Sequence, residues 1–233
     1  GNNIKIGEYI VTATDNAGDT ISITPSTALA DGTYNFKVQI TDSTEEITSN
    51  KVDVATITID VTPPEKPAIP DLTEGSDTGS SNTDNKTNDN TPTLNVAIAS
   101  DVEVGDIIKI YNGTDVVGTH TVTAGDITAG NVDITTSELN EGDNNITTTV
   151  TDVAGNESDS SDAITISVDT IAPTKPATSD LTEGSDTGSS NTDNITNDNT
   201  PTINVPVGSD VEAGDVIKIY NGTDVVGTHT VTA

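Results

Sequence analysis

The side chains of this chain that could do chemistry are almost all carboxylates. Its 233 residues include 38 Asp and Glu, 8 Lys and Arg together, two His and no Cys, which gives a formal net charge of −30. Without cysteine the chain can form no disulfide, no thiolate metal site and no Cys nucleophile. A charge of this sign repels nucleic acid and anionic membrane surfaces, so both are excluded as partners. No apolar run reaches the roughly 18 residues of a membrane-spanning helix, and we expect no direct membrane insertion.

Two Asp-Thr-Gly-Ser segments, which begin at Asp77 and Asp186, match the sequence around the catalytic carboxylates of aspartic proteases. In those enzymes each Asp follows a hydrophobic strand, so that two carboxylates meet and share one proton. Here each Asp follows Leu-Thr-Glu-Gly-Ser in a polar loop, which argues against this chemistry. His120 and His229 occupy equivalent positions on a predicted exposed strand with no Ser or Asp partner, and we expect them to be solvated. The sequence therefore predicts that the chain is not an enzyme.

One acidic loop offers ligands for a metal ion rather than catalytic groups. Residues 74–90 carry Glu74, Asp77, Asp84 and Asp89 among Ser, Thr and Asn. Such hard oxygen donors suit calcium, which takes about six to eight oxygens, whereas transition metals prefer nitrogen or sulfur. The spacing is neither that of an EF-hand nor that of a Gly-rich calcium-binding nonapeptide. Two interpretations remain open, a calcium site and a solvated surface loop in a salt-adapted acidic protein.

The acidic loop belongs to a long internal repeat. Residues 71–124 recur at 180–233 with 7 differences in 54 positions, at a spacing of 109 residues. Boundaries placed just before the Pro-rich segments divide the chain into three parts. Residues 1–62 are predicted to be the C-terminal part of a preceding repeat, 63–171 a complete repeat, and 172–233 the N-terminal part of a following repeat.

Inside the complete repeat, short runs of Thr, Val and Ile alternate with Gly-containing turns. Apolar and polar residues alternate in several of these runs, as in strands with one face on a core, and no helical periodicity competes. We therefore predict an all-β fold of tandem Ig-like seven-stranded antiparallel β-sandwich domains, joined by short Pro-containing linkers. The predicted strands cover residues 66–72, 91–98, 106–112, 115–124, 131–136, 144–151 and 162–168.

The topology of such a sandwich brings acidic loops of successive repeats together at each joint. The loops after the second and sixth strands lie where the chain enters, and those after the first and fifth strands lie where it leaves. At the first joint the convergent residues are Asp60, Asp101, Glu103, Asp152 and Asn156. At the second joint they are Asp77, Asp84, Glu141, Asp143, Asp169, Asp210 and Glu212. Carboxylates within about 10 Å of one another repel unless a divalent cation binds them, so we expect calcium (Ca2+) at the joints.

The order of several short motifs resembles a known family. VTDVAGNES, a strand ending in VDTIAPTKP and the SDTG loop are similar to the bacterial Ig-like repeats of giant calcium-binding, RTX-type and biofilm-associated surface adhesins. This resemblance implies a secreted, surface-anchored stalk exported by type I secretion, whose partners are the neighbouring repeats of the same polypeptide and whose adhesion ligand is bound by other domains. It also implies calcium-binding roles for Asp60, Asp77, Asp84, Asp152, Asn156, Asp169, Asp186 and Asp193.

Two classes of function remain open at this point. The favoured one is a structural spacer that supports cell adhesion or biofilm formation. The alternative is a repeat that binds glycan or ice itself, because Thr-rich strands can present regular hydroxyl arrays; Tyr111 and Tyr220 are its aromatic candidates.

The part before residue 63 departs from the repeat pattern, since TDSTEEITS keeps Asp42 but lacks the Ala-Gly-Asn turn, which weakens the case for a metal site there.

Overall fold

The protein is described by a computed structural model. It describes residues 5–10, 12, 15, 20–42, 44–79 and 81–232. The chain divides into two compact units, Gly1–Thr170 and Ile171–Ala233.

The first unit begins with an antiparallel hairpin of β1 (Gly32–Val38) and β2 (Val52–Ile59). The rings of Tyr34 and Phe36 stack on β1, with their centroids 5.8 Å apart.

The elements that follow form a β-sandwich of two sheets. They are β3 (Asp71–Leu72), β4 (Lys86–Thr87), β5 (Thr93–Ala97), β6 (Ile107–Asn112), β7 (Asp115–Thr121), α1 (Ala124–Ala129), β8 (Asn131–Thr135), β9 (Gly142–Thr151) and β10 (Ile164–Val168). One sheet has the strand order β4-β10-β9-β6-β7 and the other has the order β3-β5-β8. This arrangement confirms the predicted all-β sandwich.

The core lies between the two sheets and consists of branched aliphatic side chains. On β6, Ile108 and Ile110 are buried whereas Ile107 is 39% exposed, as the two-residue period of a strand requires. Each fully buried side chain of this size contributes about 1.5–3 kcal/mol of transfer free energy. The other core residues are Leu72, Leu94, Val96, Val102, Val122, Val132, Ile134, Leu139, Ile146, Val150, Ile166 and Val168.

The sandwich departs from the predicted seven antiparallel strands in two places. The predicted first loop contains β4, an eighth strand of two residues that pairs in parallel with β10. The chain therefore crosses from one sheet to the other between β3 and β4. A short helix, α1, also interrupts the all-β pattern; six residues are too few to produce a visible helical period. Its ends are nevertheless set by local signals, a capping box at Thr123 and Asp126 and Gly130 in the left-handed region with φ 75°.

The linker before β3 packs one of its faces on the sandwich. Pro64, Pro67 and Pro70 are buried, whereas the residues between them are exposed. A burial period of three residues matches the repeat of a polyproline II helix, which presents every third side chain to the same side. The linker is thus part of the repeat that follows it.

The second unit repeats the first half of the sandwich. It contains β11 (Asp180–Leu181), β12 (Ile203–Asn204), β13 (Val216–Asn221) and β14 (Asp224–Thr230), which correspond to β3, β5, β6 and β7. The β13–β14 hairpin also reproduces the register irregularity of β6–β7, at Ile219/Tyr220 and at Ile110/Tyr111.

Candidate metal-binding sites

The acidic loop between β3 and β5 is closed by hydrogen bonds at its base. The N–H groups of Ser76 and Asp77 both donate to the carbonyl of Thr73, at 2.9 Å. The Ser76 hydroxyl accepts from the N–H of Thr93 at 2.9 Å and donates to Oδ2 of Asp89 at 3.3 Å. These bonds hold the first and last residues of the loop together.

Asp77 is the buried carboxylate of this loop. Only 4% of the residue is exposed, and its Oδ2 accepts a hydrogen bond from the N–H of Asn85 at 3.3 Å. Its other oxygen, Oδ1, is buried without any hydrogen-bond partner, and so is Oδ1 of Asn85. Asn85 has φ 58°, a left-handed conformation that Asn tolerates better than most residues. Two oxygen acceptors therefore remain unsatisfied inside the loop.

The second unit reproduces this arrangement. Asp186 is 4% exposed, accepts from the N–H of Asn194 at 3.2 Å, and has an unpartnered Oδ1. Asn194 has the same φ of 58°. Asp186 is buried although none of the core side chains of the first unit has a buried counterpart among the described residues of the second. The sequence showed a polar loop, but it did not show that these two carboxylates are buried.

The other predicted ligands of the loop are exposed and satisfied locally. Oδ1 of Asp84 accepts from the N–H of Lys86 at 3.2 Å, and Oδ1 of Asp193 accepts from that of Ile195 at 3.1 Å. Sequence reasoning selected these two Asp residues, whereas the structure places the neighbouring Asn85 against Asp77. No signal in a single sequence distinguishes two adjacent oxygen donors of this kind.

The linker is bonded directly to two loops of the following sandwich at the first joint. The side-chain amide of Asn156 donates both to the backbone carbonyl of Asp60 at 3.1 Å and to Oδ2 of Asp152 at 2.8 Å. The N–H of Glu65 donates to Oδ2 of Asp101 at 2.6 Å. The loops after β5 and β9 therefore lie at the end where the chain enters, as the topology predicted.

The carboxylates of this joint are satisfied by amides. Oδ1 of Asp60 accepts from the N–H of Thr62 at 3.2 Å, and the side-chain amide of Asn156, with backbone N–H groups, holds the pKa of Asp152 below its ordinary value. Glu103 is exposed, and its N–H donates to Asp106. Among the residues that the structure describes, no three His, Asp or Glu side chains lie close enough together to hold a metal ion. Calcium at this joint stays a prediction.

The predicted residues of the second joint are divided between the two units. In the first unit, the N–H of Asp169 donates to the carbonyl of Thr87 at 2.9 Å, and Glu141 accepts from the N–H of Thr170 at 3.1 Å. Asp143 lies on β9.

The second unit contains Asp210 and Glu212. Oδ2 of Asp210 accepts from the N–H of Thr174 at 2.5 Å, and hydrogen bonds from Thr174 lower the pKa of Asp210. This contact repeats that of Asp101 with Glu65, so each linker is tied to the same loop of its own repeat. Glu212 is exposed, and its N–H donates to Asp215 at 2.9 Å.

His120 has a carboxylate partner, which sequence reasoning missed. Its Nε2 lies 2.8 Å from Oδ2 of Asp126, which also accepts from the N–H and the hydroxyl of Thr123. The hydrogen bond from His120, with those from Thr123, lowers the pKa of Asp126 to about 2. The prediction of a solvated histidine without an Asp partner is therefore wrong for His120, because α1 brings Asp126 within reach of β7, whereas His229 is exposed. The Thr-x-x-Asp spacing of a capping box was the available signal.

Residues 63–170 and 172–233 match the bacterial Ig-like domain. No curated protein matches the chain. No helix in the described part of the chain is long and apolar enough to span a membrane.

Proposed function

Because the chain belongs to the bacterial Ig-like domain family, whose members are typically non-enzymatic β-sandwich domains common in extracellular and surface proteins, we propose that it is an extender segment of a large secreted bacterial adhesin. In this role, nearly identical repeats supply length and stiffness to a stalk that supports cell adhesion or biofilm formation. Recognition of the adhesion ligand belongs to other domains.

The observation that carries this proposal is the attachment of the linker to the repeat that follows it. Asn156 and Asp101 bond the linker at Asp60 and Glu65, and Lys66 forms an ion pair with Asp162 at 2.6 Å. Together with the buried prolines, these bonds leave few linker residues free to pivot. A stiff connection of this kind suits a spacer.

The second part of the proposal is that calcium stiffens the joints. Acidic side chains and main-chain carbonyls are the hard oxygen donors that calcium prefers, and the joint residues provide both kinds. Asn156 is the central residue at the first joint, because it contacts both the linker carbonyl of Asp60 and the carboxylate of Asp152. At the second joint the linker residue is Asp169.

Small-angle scattering of the 233-residue chain tests this function. We expect the maximum dimension in millimolar calcium to exceed that in EDTA, while circular dichroism shows unchanged strand content. Asp169→Ala and Asp60→Ala should each shorten the particle in calcium. Asp115→Ala is the matched control, because Asp115 is an exposed carboxylate at the first residue of β7. A chain that is equally extended in EDTA and in both variants would remove calcium from the joints.

The alternative of a glycan-binding repeat has two aromatic candidates: Tyr220 is 56% exposed, whereas Tyr111 is held by hydrogen bonds in the complete repeat. The hydroxyl of Tyr111 donates to Oε1 of Glu157 at 3.2 Å, and the same oxygen accepts from the hydroxyl of Thr149 at 2.8 Å. Hydrogen bonds from Thr149 and Tyr111, together with the charge of Lys109, hold the pKa of Glu157 below its ordinary value. The aromatic ring is thus fixed in a polar network on the sheet rather than presented as an open platform.

A further inference from the structure

We propose that the carboxylates just before β1 and β9 fasten each linker to the strands that precede it, by direct hydrogen bonds that need no metal ion. These fastening carboxylates are Asp31 and Glu141. The bonds from Asn156, Asp101 and Lys66 attach the linker only to the repeat that follows it. A stiff spacer also needs the linker fixed on its other side, so the inference deepens the extender function and rests on it.

Strand pairing places both carboxylates at the start of a linker. The last pair of β1 and β2 joins Gly32 to Ile59, and the last pair of β9 and β10 joins Gly142 to Val168. In an antiparallel pair, the residue before each of these glycines lies beside the first residue that follows its partner. That following residue opens the linker in both cases, so a carboxylate before the glycine can reach the linker's main chain.

Asp31 accepts hydrogen bonds from two consecutive linker residues. Its Oδ1 accepts from the N–H of Val61 at 2.9 Å, and its Oδ2 accepts from the hydroxyl of Thr62. The bonds from Thr62 and from Val61 lower the pKa of Asp31, so this group is an ionised acceptor at neutral pH. A hydrogen bond to an ionised acceptor is about twice as strong as one between neutral groups.

The linker's few main-chain donors are taken up by carboxylates from both sides of the joint. Two prolines leave only four N–H groups between residues 61 and 66. Three of the four donate to carboxylates, those of Asp31, Asp60 and Asp101. Asp31 precedes the linker and Asp101 belongs to the sandwich after it. The same short segment is therefore bonded at both of its ends, without a metal ion.

Glu141 makes the same contact at the equivalent position of the second linker. Its carboxylate accepts from the N–H of Thr170 at 3.1 Å and from the hydroxyl of the same residue. Thr170 follows Asp169 as Val61 follows Asp60, so the same main-chain N–H is bonded in both linkers. The hydroxyl that joins the contact comes from a different position in each. The bond to the N–H is thus the common feature, and it tolerates both an Asp and a Glu as acceptor.

Distances between two spin labels across the first joint test the inference. The chain has no Cys, so Asn50→Cys and Thr114→Cys introduce two exposed labelling positions, one on each side of the joint. Pulsed electron resonance on the doubly labelled 233-residue chain measures the width of the distance distribution. We expect Asp31→Ala to broaden this distribution in EDTA and in millimolar calcium alike. Glu45→Ala, which removes an exposed carboxylate between β1 and β2, is the matched control and should leave the width unchanged.

The two solutions separate a hydrogen-bonding role from a metal-binding one. If Asp31→Ala broadens the distribution in calcium only, Asp31 is a metal ligand and the inference is overturned. An unchanged width in both solutions would overturn it as well. Circular dichroism of the same samples checks that the strand content is retained.

Thr62→Val provides a second variant that leaves the strands untouched. Thr62 lies in the linker outside β2, and the substitution removes only its hydroxyl. It should broaden the distribution less than Asp31→Ala does, because the bond from Val61 remains. In the Asp31→Ala chain it should add nothing, since its acceptor is already gone. Additive effects of the two substitutions would show that these residues act independently, which would overturn the inference.

Failure of this inference and failure of the extender function are distinguishable. If the particle shortens in EDTA while Asp31→Ala leaves the label distribution as narrow as in the unmodified chain, the extender function stands and the fastening role of Asp31 fails. If the unmodified chain is equally long in calcium and in EDTA while Asp31→Ala broadens the distribution, the fastening role stands and calcium is removed from the joints.

Discussion

Thr123 combines two roles at the boundary between β7 and α1. Its hydroxyl caps the helix at the N–H of Asp126, and its own N–H donates to the Asp126 carboxylate at 2.8 Å. Thr123→Ala removes the cap and should cost about 1 kcal/mol, which lowers the melting temperature of a domain of this size by a few degrees. Circular dichroism melts measure the change. Thr114→Ala, at an exposed turn position, should leave the melting temperature unchanged and is the control.

The same residues predict a specific acid sensitivity. The pKa of Asp126 is about 2 in the folded protein, below its ordinary value of 3.8, so its ionised form stabilises the fold. This contribution is fully present above about pH 4 and is lost as the pH falls towards 2. Asp126→Asn should lower the melting temperature at pH 7. At pH 2 the melting temperatures of the variant and of the unmodified chain should differ by less. An equal difference at both pH values would contradict the assignment.

At the scale of single strands, the alternation of β6 makes a sharp prediction. Ile108 is 1% exposed in the core, whereas its neighbour Ile107 is 39% exposed on the outer face. Ile108→Ala leaves a cavity and should cost about 2–5 kcal/mol, while Ile107→Ala should cost well under half as much. Urea unfolding followed by circular dichroism measures both. Similar costs at the two positions would mean that the register of β6 is not the one described.

Strands with a clear two-residue period were predictable, and elements fixed by partners distant in sequence were not. β6 and β9 carry their burial pattern in their own residues. β4 is two residues long and exists because β10 offers a parallel edge some 80 residues later, so no local pattern could reveal it. The helix α1 had only its capping box as a signal.

The candidate sites also combine features that the sequence predicts with features that depend on the folded structure. Topology correctly placed the loops of Asp101 and Asp152 beside the entering linker, whereas the hard oxygen ligands suggested by residue type in the acidic loop stay a prediction. Burial of Asp77 was not predictable, because it results from the way in which the loop folds over a polar residue. The pairing of His120 with Asp126 also required the helix between them.

At the scale of the whole molecule, the net charge of −30 makes stability sensitive to salt and to calcium in different ways. Sodium chloride screens repulsion among exposed carboxylates and should raise the melting temperature gradually. Calcium that binds with a Kd of about 10⁻⁴ to 10⁻³ M should add roughly 1–2 kcal/mol per site at millimolar concentration. Scanning calorimetry in millimolar calcium, against sodium chloride of equal ionic strength, separates the two. Equal melting temperatures in both salts would mean that calcium acts only by screening the repulsion among carboxylates.

The parallel pairing of β4 with β10 determines how a repeat responds to tension. Ser167 lies opposite Lys86 and Val168 opposite Thr87, and the N–H of Asp169 extends the ladder to the carbonyl of Thr87. A pull on the two ends of the repeat draws β4 towards its N-terminus and β10 towards its C-terminus. In a parallel pair these directions are opposite along one axis, so the hydrogen bonds are loaded in shear and must break together rather than peel apart one by one. The short β4–β10 pair therefore resists a pull on the ends of the repeat as one unit.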